Sequence, residues 1–356
     1  MTAAQKKDFM LMPEGAAAHE TVSGRMMTGV RLYTCEGRTS LEKLPVPNPG
    51  PNEVLVKVSH AGVCLTDVHF VRGETAPGMP ESVTLGHEVA GTVDSVGLAV
   101  TGFPPGTRVV VNPLGQLHNR NHVLGAHYDG GWAEYVLVPA DAVIPIGTSV
   151  SFAEAAIIPD AVATPWSALT TTGQVRPAEA VAVWGIGGLG FNAIKLLRIL
   201  GACPIIAIDP LEAARRRSLS AGADAAFAPD SPDLARYIQS NTDGGLDAAF
   251  DFFGSPTIHQ QAFELLGSRG RLILTGIPDT NFHLENTAAL IRTAKRVIGH
   301  YGATKEHIQE IIRLVHFGRL DISDSVSDVL PLDQYSQALE TLESGSGKHI
   351  RFVLQP

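Results

Sequence analysis

Two clusters of this sequence carry side chains able to do chemistry. The first is Cys64-Leu65-Thr66-Asp67-Val68-His69, followed by Gly86-His87-Glu88, with His87 23 residues after Cys64. A cysteine thiolate and a histidine nitrogen are ordinary zinc ligands, and a catalytic zinc keeps three protein ligands and one open position. Taken singly, Cys64 also reads as a small buried apolar side chain, and His87 as a hydrogen-bonded core or loop histidine. Spacing alone does not join them.

The second cluster is Gly185-Ile186-Gly187-Gly188-Leu189-Gly190, a G-x-G-x-x-G pattern. It follows the apolar run Val181–Trp184 and opens a helical stretch. The first glycine permits a tight turn, the second lets a pyrophosphate approach the backbone, and the third allows close helix–strand packing. Unpaired N–H groups at the helix start then face phosphate charge. Gly185, Gly187, Gly188 and Gly190 are therefore candidate cofactor contacts. Asp209 ends the next strand, 19 positions after Gly190. A carboxylate there accepts hydrogen bonds from ribose hydroxyls and repels a 2′-phosphate, which favours NAD over NADP. Arg215, Arg216 and Arg217 follow closely and keep NADP open, although they also read as a solvated helix face.

These residues need elements to position them. Val54–Val58, Val93–Val96, Arg108–Val111 and Tyr135–Val138 are short apolar runs among Gly and Pro, the texture of an irregular β-rich region. Beyond residue 160 the texture changes. Strands over Val181–Trp184, Pro204–Asp209, Ala248–Phe253 and Arg271–Leu274 alternate with helical stretches, which implies an α/β fold with a doubly wound parallel sheet. Leu189, Ala193, Leu196, Leu197 and Leu200 mark the first helix. Ile308, Ile311, Ile312 and Val315 mark a late one, and a final strand runs over Ile350–Leu354. Residues 1–25 show no sustained period and read as an extension.

The chain has 356 residues, 44% hydrophobic and 18% charged, with a net charge of −9. That is globular composition for two domains, and the acidic balance argues against a nucleic-acid partner. Cys35, Cys64 and Cys203 form no disulfide framework, so a reducing compartment is expected. No run is long and apolar enough for a membrane span, and no secretory h-region is visible. These features point to a cytoplasmic protein with no membrane partner.

The combination C-x-[S/T]-D-x-H, then G-H-E, then the dinucleotide fingerprint resembles the zinc-dependent medium-chain dehydrogenase/reductase superfamily, which includes the zinc alcohol dehydrogenases. The likeness runs from about Gly29 to Pro356. It implies a GroES-like catalytic domain (26–161 and 304–356) and a Rossmann NAD-binding domain (162–303). Further implications are one catalytic Zn²⁺, NAD as cofactor, a small alcohol or carbonyl substrate, and a homo-oligomer, dimer or tetramer.

The resemblance also assigns residues. Cys64 and His87 become zinc ligands. Asp160, in Ala155-Ala-Ile-Ile-Pro-Asp160, takes the third-ligand position, although it also reads as a helix N-cap. Glu88 lies behind the metal, and Asp67 orients His87 or caps locally. Thr66 and His69 occupy a proton relay to solvent, or are a turn hydroxyl and a surface side chain. Trp132 falls at a substrate-pocket position, or is a core aromatic. Arg351 resembles an arginine that contacts cofactor phosphates, or forms a surface salt bridge. The four-cysteine lobe that holds a second, structural zinc in most such enzymes is missing. The segment 114–131 has His118, His122 and His127 but no cysteine, so no structural zinc is expected. The alternatives are a zinc-free quinone or enoyl reductase of the same superfamily, and a non-catalytic NAD(H)-binding protein.

Overall fold

The structure, a computed structural model, describes residues 24–117, 120–277, 281–345 and 347–356. The N-terminal extension therefore lies almost wholly outside the described residues, as does His118.

The β-rich part is built on one long strand, Glu53–Val63. Val54, Val56, Val58, Ala61 and Val63 are buried along it, so a β-branched run does the work of a central strand. Antiparallel neighbours flank it on each side. Val89–Val96 pairs with Ala61 opposite Val89, and Phe352–Gln355 pairs with Phe352 opposite Val63. The strand expected over Ile350–Leu354 thus starts two residues later, and it returns the end of the chain to the sheet formed by its beginning. Asp328–Pro331, Arg108–Val111 and Val143–Pro145 extend this sheet to either side, and Tyr135–Pro139 also pairs with the central strand. Three consequences for the site follow from the register. Cys64 emerges just past Val63, His87 and Glu88 lie just before Val89, and Arg351 lies just before Phe352. All three points are at the same end of three adjacent strands.

The second part is a six-stranded sheet in which every pairing is parallel. Numbered along this half of the chain, its strands lie in the order 3-2-1-4-5-6, the doubly wound arrangement with a crevice where the order reverses. Val181–Trp184 is first, Ile205–Ile208 second and Leu246–Asp251 fourth. Two members were not legible as strands. Ala225–Phe227 is three half-buried residues without a β-branched side chain. Arg296–Gly299 is an edge strand whose end residues are exposed, so neither carries an apolar alternation.

Between the two sheets runs a helical stretch from Phe152 to Thr172, widened twice into π-helical turns at Ile158–Val162 and Ala168–Thr172. The Ala163 N–H reaches the Ile158 carbonyl five residues back. Pro159 has no N–H to hold a regular α-turn there. One apolar core, containing Val110, Ile157, Val183, Ile194, Ile308 and Val353, runs through both parts. No helix among the described residues is long and apolar enough to cross a membrane.

Candidate metal centre and dinucleotide loop

Cys64, His87 and Asp160 meet in the structure. They come from three separate segments, and one ligand atom of each lies within 4.8 Å of the others. The distance from His87 Nε2 to Asp160 Oδ2 is 3.6 Å, and from Cys64 Sγ to the same oxygen 3.7 Å. Zinc bonds of roughly 2.0–2.3 Å in a tetrahedron put ligand atoms about 3.3–3.5 Å apart. The set of thiol, imidazole and carboxylate therefore fits a zinc ion in both spacing and chemistry. It is the one such group of three found among the described residues.

Each ligand is placed by local structure. Cys64 is the N-cap of the short helix Leu65–Val71, and its N–H donates to Asp67 Oδ2 at 2.9 Å. Asp67 is fully buried, and its other oxygen, Oδ1, faces His87 Nδ1 at 3.7 Å without a hydrogen-bond partner. A buried carboxylate oxygen left unpaired is costly. It becomes satisfied when the ring turns its Nδ1–H toward it, the orientation that offers Nε2 to a metal. One side chain thus caps Cys64 with one oxygen and faces the His87 ring with the other. His87 sits in a turn that needs Gly86, whose φ is +97° and whose absent Cβ would lie 2.2 Å from Trp132 Cδ1. Asp160 belongs to the first π-helical turn and is not an N-cap. It accepts from the Thr164 hydroxyl at 2.8 Å, and π-turns of this kind recur at functional sites.

Electrostatics favour an ionised Asp160 and a protonated His87, whose proton a metal would displace. Burial opposes ionisation of Asp160, but His87, Arg351 and Thr164 together hold its carboxyl well below the usual carboxylate range. Burial likewise opposes the imidazolium of His87, yet Asp67, Asp160 and Cys64 raise it well above its ordinary value. Behind them Glu88, fully buried, is pushed up to about 7 by desolvation, against the opposing pull of Arg351. Its Oε1 accepts from the Ala161 N–H at 3.0 Å and lies 3.1 Å from Arg351 Nη2. Arg351 is 3% exposed and also donates to Asp160 Oδ2 at 3.2 Å. Although burial opposes its charge, Cys64, Glu88 and Asp160 hold it strongly protonated.

Arg351 links this cluster to the glycine loop. A Cβ on Gly188 would come within 3.1 Å of its guanidinium carbon. Arg351 is therefore no surface residue; it lies between the two sites. The loop itself has Gly185 at φ +80° and Gly187 as N-cap of the helix Gly188–Leu200. A Cβ on Gly190 would lie 1.9 Å from the Gly185 carbonyl oxygen, so helix and strand approach as closely as the pattern implies. Asp209, 7% exposed, stands at the end of the neighbouring strand. Its Oδ2 accepts from the Ile186 N–H and its Oδ1 from the Leu211 N–H, both at 2.8 Å.

Other expectations are resolved differently. Trp132 is fully buried in the core of the β-rich part, and its indole N–H donates to the Gly62 carbonyl at 3.0 Å. This corrects the substrate-pocket role, because a ring sealed in the core and tied to backbone presents no face to a ligand. Thr66 is exposed, with Oγ1 3.6 Å from Cys64 Sγ. His69 is 44% exposed on the same helix and pairs with Glu74 at 2.5 Å. In the segment that replaces the four-cysteine lobe, Leu114–Leu117 and Arg120–Val123 form a hairpin. His127 there is engaged by Val123 N–H and lies near the Pro77 carbonyl.

Asn192 was not singled out by the sequence. It is fully buried in the first helix and donates to the Ala161 and Gly188 carbonyls while accepting from Ser325. An amide interrupting the apolar face of a fingerprint helix was the available signal.

Comparison with known proteins agrees with this architecture. Residues 50–148 match the family described as alcohol dehydrogenase GroES-like domain, and residues 188–316 the family described as zinc-binding dehydrogenase. The chain is 30% identical over 343 residues to an NAD-dependent alcohol dehydrogenase of Sulfurisphaera tokodaii, covering 89% of this chain and 97% of the relative. It is also 30% identical over 345 residues to an L-threonine 3-dehydrogenase of Caldanaerobacter subterraneus subsp. tengcongensis, with 91% and 97% covered. The solved structure of a cobalt- and zinc-bound thermostable alcohol dehydrogenase from Pyrobaculum aerophilum superposes with a TM-score of 0.80 at 28% identity, covering 93% and 100%. Fold, family match and full-length similarity place the chain in the medium-chain dehydrogenase/reductase superfamily, among its alcohol dehydrogenase-like members.

Proposed function

We propose that this protein is a zinc-dependent oxidoreductase that interconverts an alcohol and its ketone or aldehyde with NAD as hydride partner. The observation that carries the proposal is the convergence of Cys64, His87 and Asp160 beside a guanidinium that borders the dinucleotide loop. When bound, zinc would supply Lewis acidity at the substrate oxygen and NAD a hydride acceptor. The protein's own residues supply the rest. Cys64, His87 and Asp160 hold the ion, and Asp67 fixes the imidazole. Glu88 and Arg351 form the charged wall behind it. Thr66 beside the thiol receives the substrate proton. His69, three residues further on the same short helix, exchanges a proton with solvent.

The choice of NAD rests on Asp209 and on the three arginines that follow it. Arg215 donates to the Asp209 and Pro210 carbonyls, Arg216 pairs with Glu212, and Arg217 donates to the Ile186 and Gly347 carbonyls. Each of the three already has another partner, while the Asp209 carboxylate retains lone pairs for ribose hydroxyls. We assign residues 26–161 and 304–356 to the catalytic domain and 162–303 to the NAD-binding domain. We also propose a homo-oligomer, since Arg296–Gly299 ends the parallel sheet with one side unpaired among the described residues, a state that light scattering measures.

The test is a kinetic screen of secondary and primary alcohols, polyols, 3-hydroxy amino acids and the matching carbonyls. It is run with both NAD(H) and NADP(H), on protein of measured zinc content. Turnover that tracks about one zinc per chain and prefers NAD supports the proposal. Full turnover without zinc favours a zinc-free reductase, and NAD(H) binding without any turnover favours a non-catalytic role.

A further inference from the structure

Arg217 is placed where no glycine pattern predicts a role. It lies on the helix Glu212–Ser220, outside the fingerprint, and is half-buried. One end of its guanidinium donates to the Ile186 carbonyl at 2.9 Å, the other to the Gly347 carbonyl at 2.7 Å. Ile186 stands between the first two fingerprint glycines. Gly347 lies in the turn that leads to Arg351 and the terminal strand.

The geometry of the peptide bond gives this clamp a consequence. The Ile186 N–H is already taken by Asp209 Oδ2 at 2.8 Å. With its carbonyl held by Arg217, the residue is fixed at both ends. In a planar trans peptide the carbonyl and the following N–H point in opposite directions. Anchoring Ile186 C=O on Arg217 therefore turns the Gly187 N–H away from Arg217. Gly187 is exposed, and nothing lies within 4 Å of its absent Cβ. Its N–H is thus aimed away from Arg217 at the start of the helix Gly188–Leu200, where an anion would be received. The same guanidinium holds the turn before Arg351, whose side chain borders Gly188.

We infer that Arg217 is a positioning residue for the dinucleotide: by clamping the Ile186 and Gly347 carbonyls it aims the Gly187 N–H at the pyrophosphate and seats the turn that delivers Arg351. The inference rests on the reading that a dinucleotide binds at this loop. Arg217 itself does not touch the metal ligands; both of its hydrogen bonds go to backbone carbonyls of the loop and the turn. The two hydrogen bonds need a planar fork, which lysine does not provide.

The experiment measures NADH affinity by fluorescence titration of the zinc-loaded full chain, for the parent, Arg217→Met and Arg217→Lys. Adenosine and ADP-ribose are then used as competitors. Arg217→Met is expected to weaken NADH at least tenfold and to raise KM for NAD in step. ADP-ribose, which carries the pyrophosphate, should weaken similarly and adenosine by less than threefold, with zinc content at the parent's level. Equal weakening of adenosine and ADP-ribose, or loss of zinc alongside cofactor, would mean general disruption and overturns the role. So does an NADH affinity within twofold of the parent. Should Arg217→Met fail to fold, Arg217→Lys decides: an affinity clearly weaker than the parent's supports the clamp, and an unchanged one overturns it. A parent protein that binds no NADH sinks the dinucleotide reading itself, a result distinct from a parent that binds while the variants are unaltered.

Discussion

Asp160 has two partners besides the proposed metal, Thr164 on one oxygen and Arg351 on the other. Such a carboxylate is already oriented before an ion arrives, which reduces the ordering cost of coordination. Replacing it by alanine removes a donor and leaves Arg351 with Glu88 alone. We expect Asp160→Ala to lose most of its bound zinc by metal analysis and at least a hundredfold in kcat/KM. Asp67 acts one step removed. Asp67→Asn keeps size and can still cap Cys64 through its amide oxygen, but it faces His87 without charge. A drop of about 10–100-fold in zinc affinity is the usual scale for losing such a partner, and it should appear in competition with a chelator. A variant of Asp67 with parent affinity would return that residue to a capping role only. Cys64 and His87 stood out in the sequence as ordinary zinc-ligand types, although spacing alone did not join them. Asp160 did not, since a lone carboxylate after a proline also fits a cap. Only the resemblance singled it out.

At the scale of elements, the fingerprint loop works because two backbones nearly touch. A Cβ on Gly190 would lie 1.9 Å from the Gly185 oxygen, far inside contact distance. Gly190→Ala must therefore push the helix Gly188–Leu200 off its strand. Overpacking of this kind costs about 1–3 kcal/mol, and the displaced helix start should weaken NADH more than tenfold; unchanged melting and unchanged affinity would refute the close contact.

The strand end at His300 supplies a second element-scale prediction. His300 lies 3.2 Å from the Thr164 carbonyl at Nε2 and 2.8 Å from the Thr172 hydroxyl at Nδ1. Burial lowers its pKa, so the folded protein keeps the ring neutral where the unfolded chain would charge it. The unfolded state then binds more protons below about pH 6.5. His300 therefore contributes stability above that pH, and this contribution is lost as pH falls through the depressed folded value. His300→Gln, measured by denaturant unfolding from pH 7.5 to 5, should show a shallower fall than the parent. An identical fall would mean that His300 is not kept neutral.

For the whole molecule, the two sheets are not independent. The apolar core is continuous through the helical stretch Phe152–Thr172, and Asp160 sits on that stretch with Arg351 reaching it from the last strand. A metal bound by Cys64, His87 and Asp160 would tie the β-rich sheet to the helical connection, and a ligand that binds only the folded state stabilises it by mass action. At a hundredfold excess over Kd that linkage amounts to about 2.7 kcal/mol. Stripping zinc with a chelator should lower Tm by several degrees, with recovery on adding zinc back. Recovery should be weaker at lower pH, because a proton on His87 competes with the ion. A Tm indifferent to chelation would argue that no metal bridges these segments.

Sequence alone determined the chemistry on offer and the kinds of element that carry it. The β-branched runs wrote the central strand, and the Gly185–Gly190 pattern wrote a turn that only a strand–helix junction accommodates. Residue types fixed which donors exist, because thiol, imidazole and carboxylate are properties of single side chains. Which donors meet was decided by tertiary structure. Cys64, His87 and Arg351 converge because two antiparallel registers bring three strand ends together, and Asp160 joins them through a π-helical turn that no periodicity announces. The same holds for Trp132, whose ring was sealed in the core by Gly86 and Gly62, and for Arg217, whose partners lie 31 and 130 residues away. Contacts across such separations depend on how sheets pack, and local spacing carries no record of that.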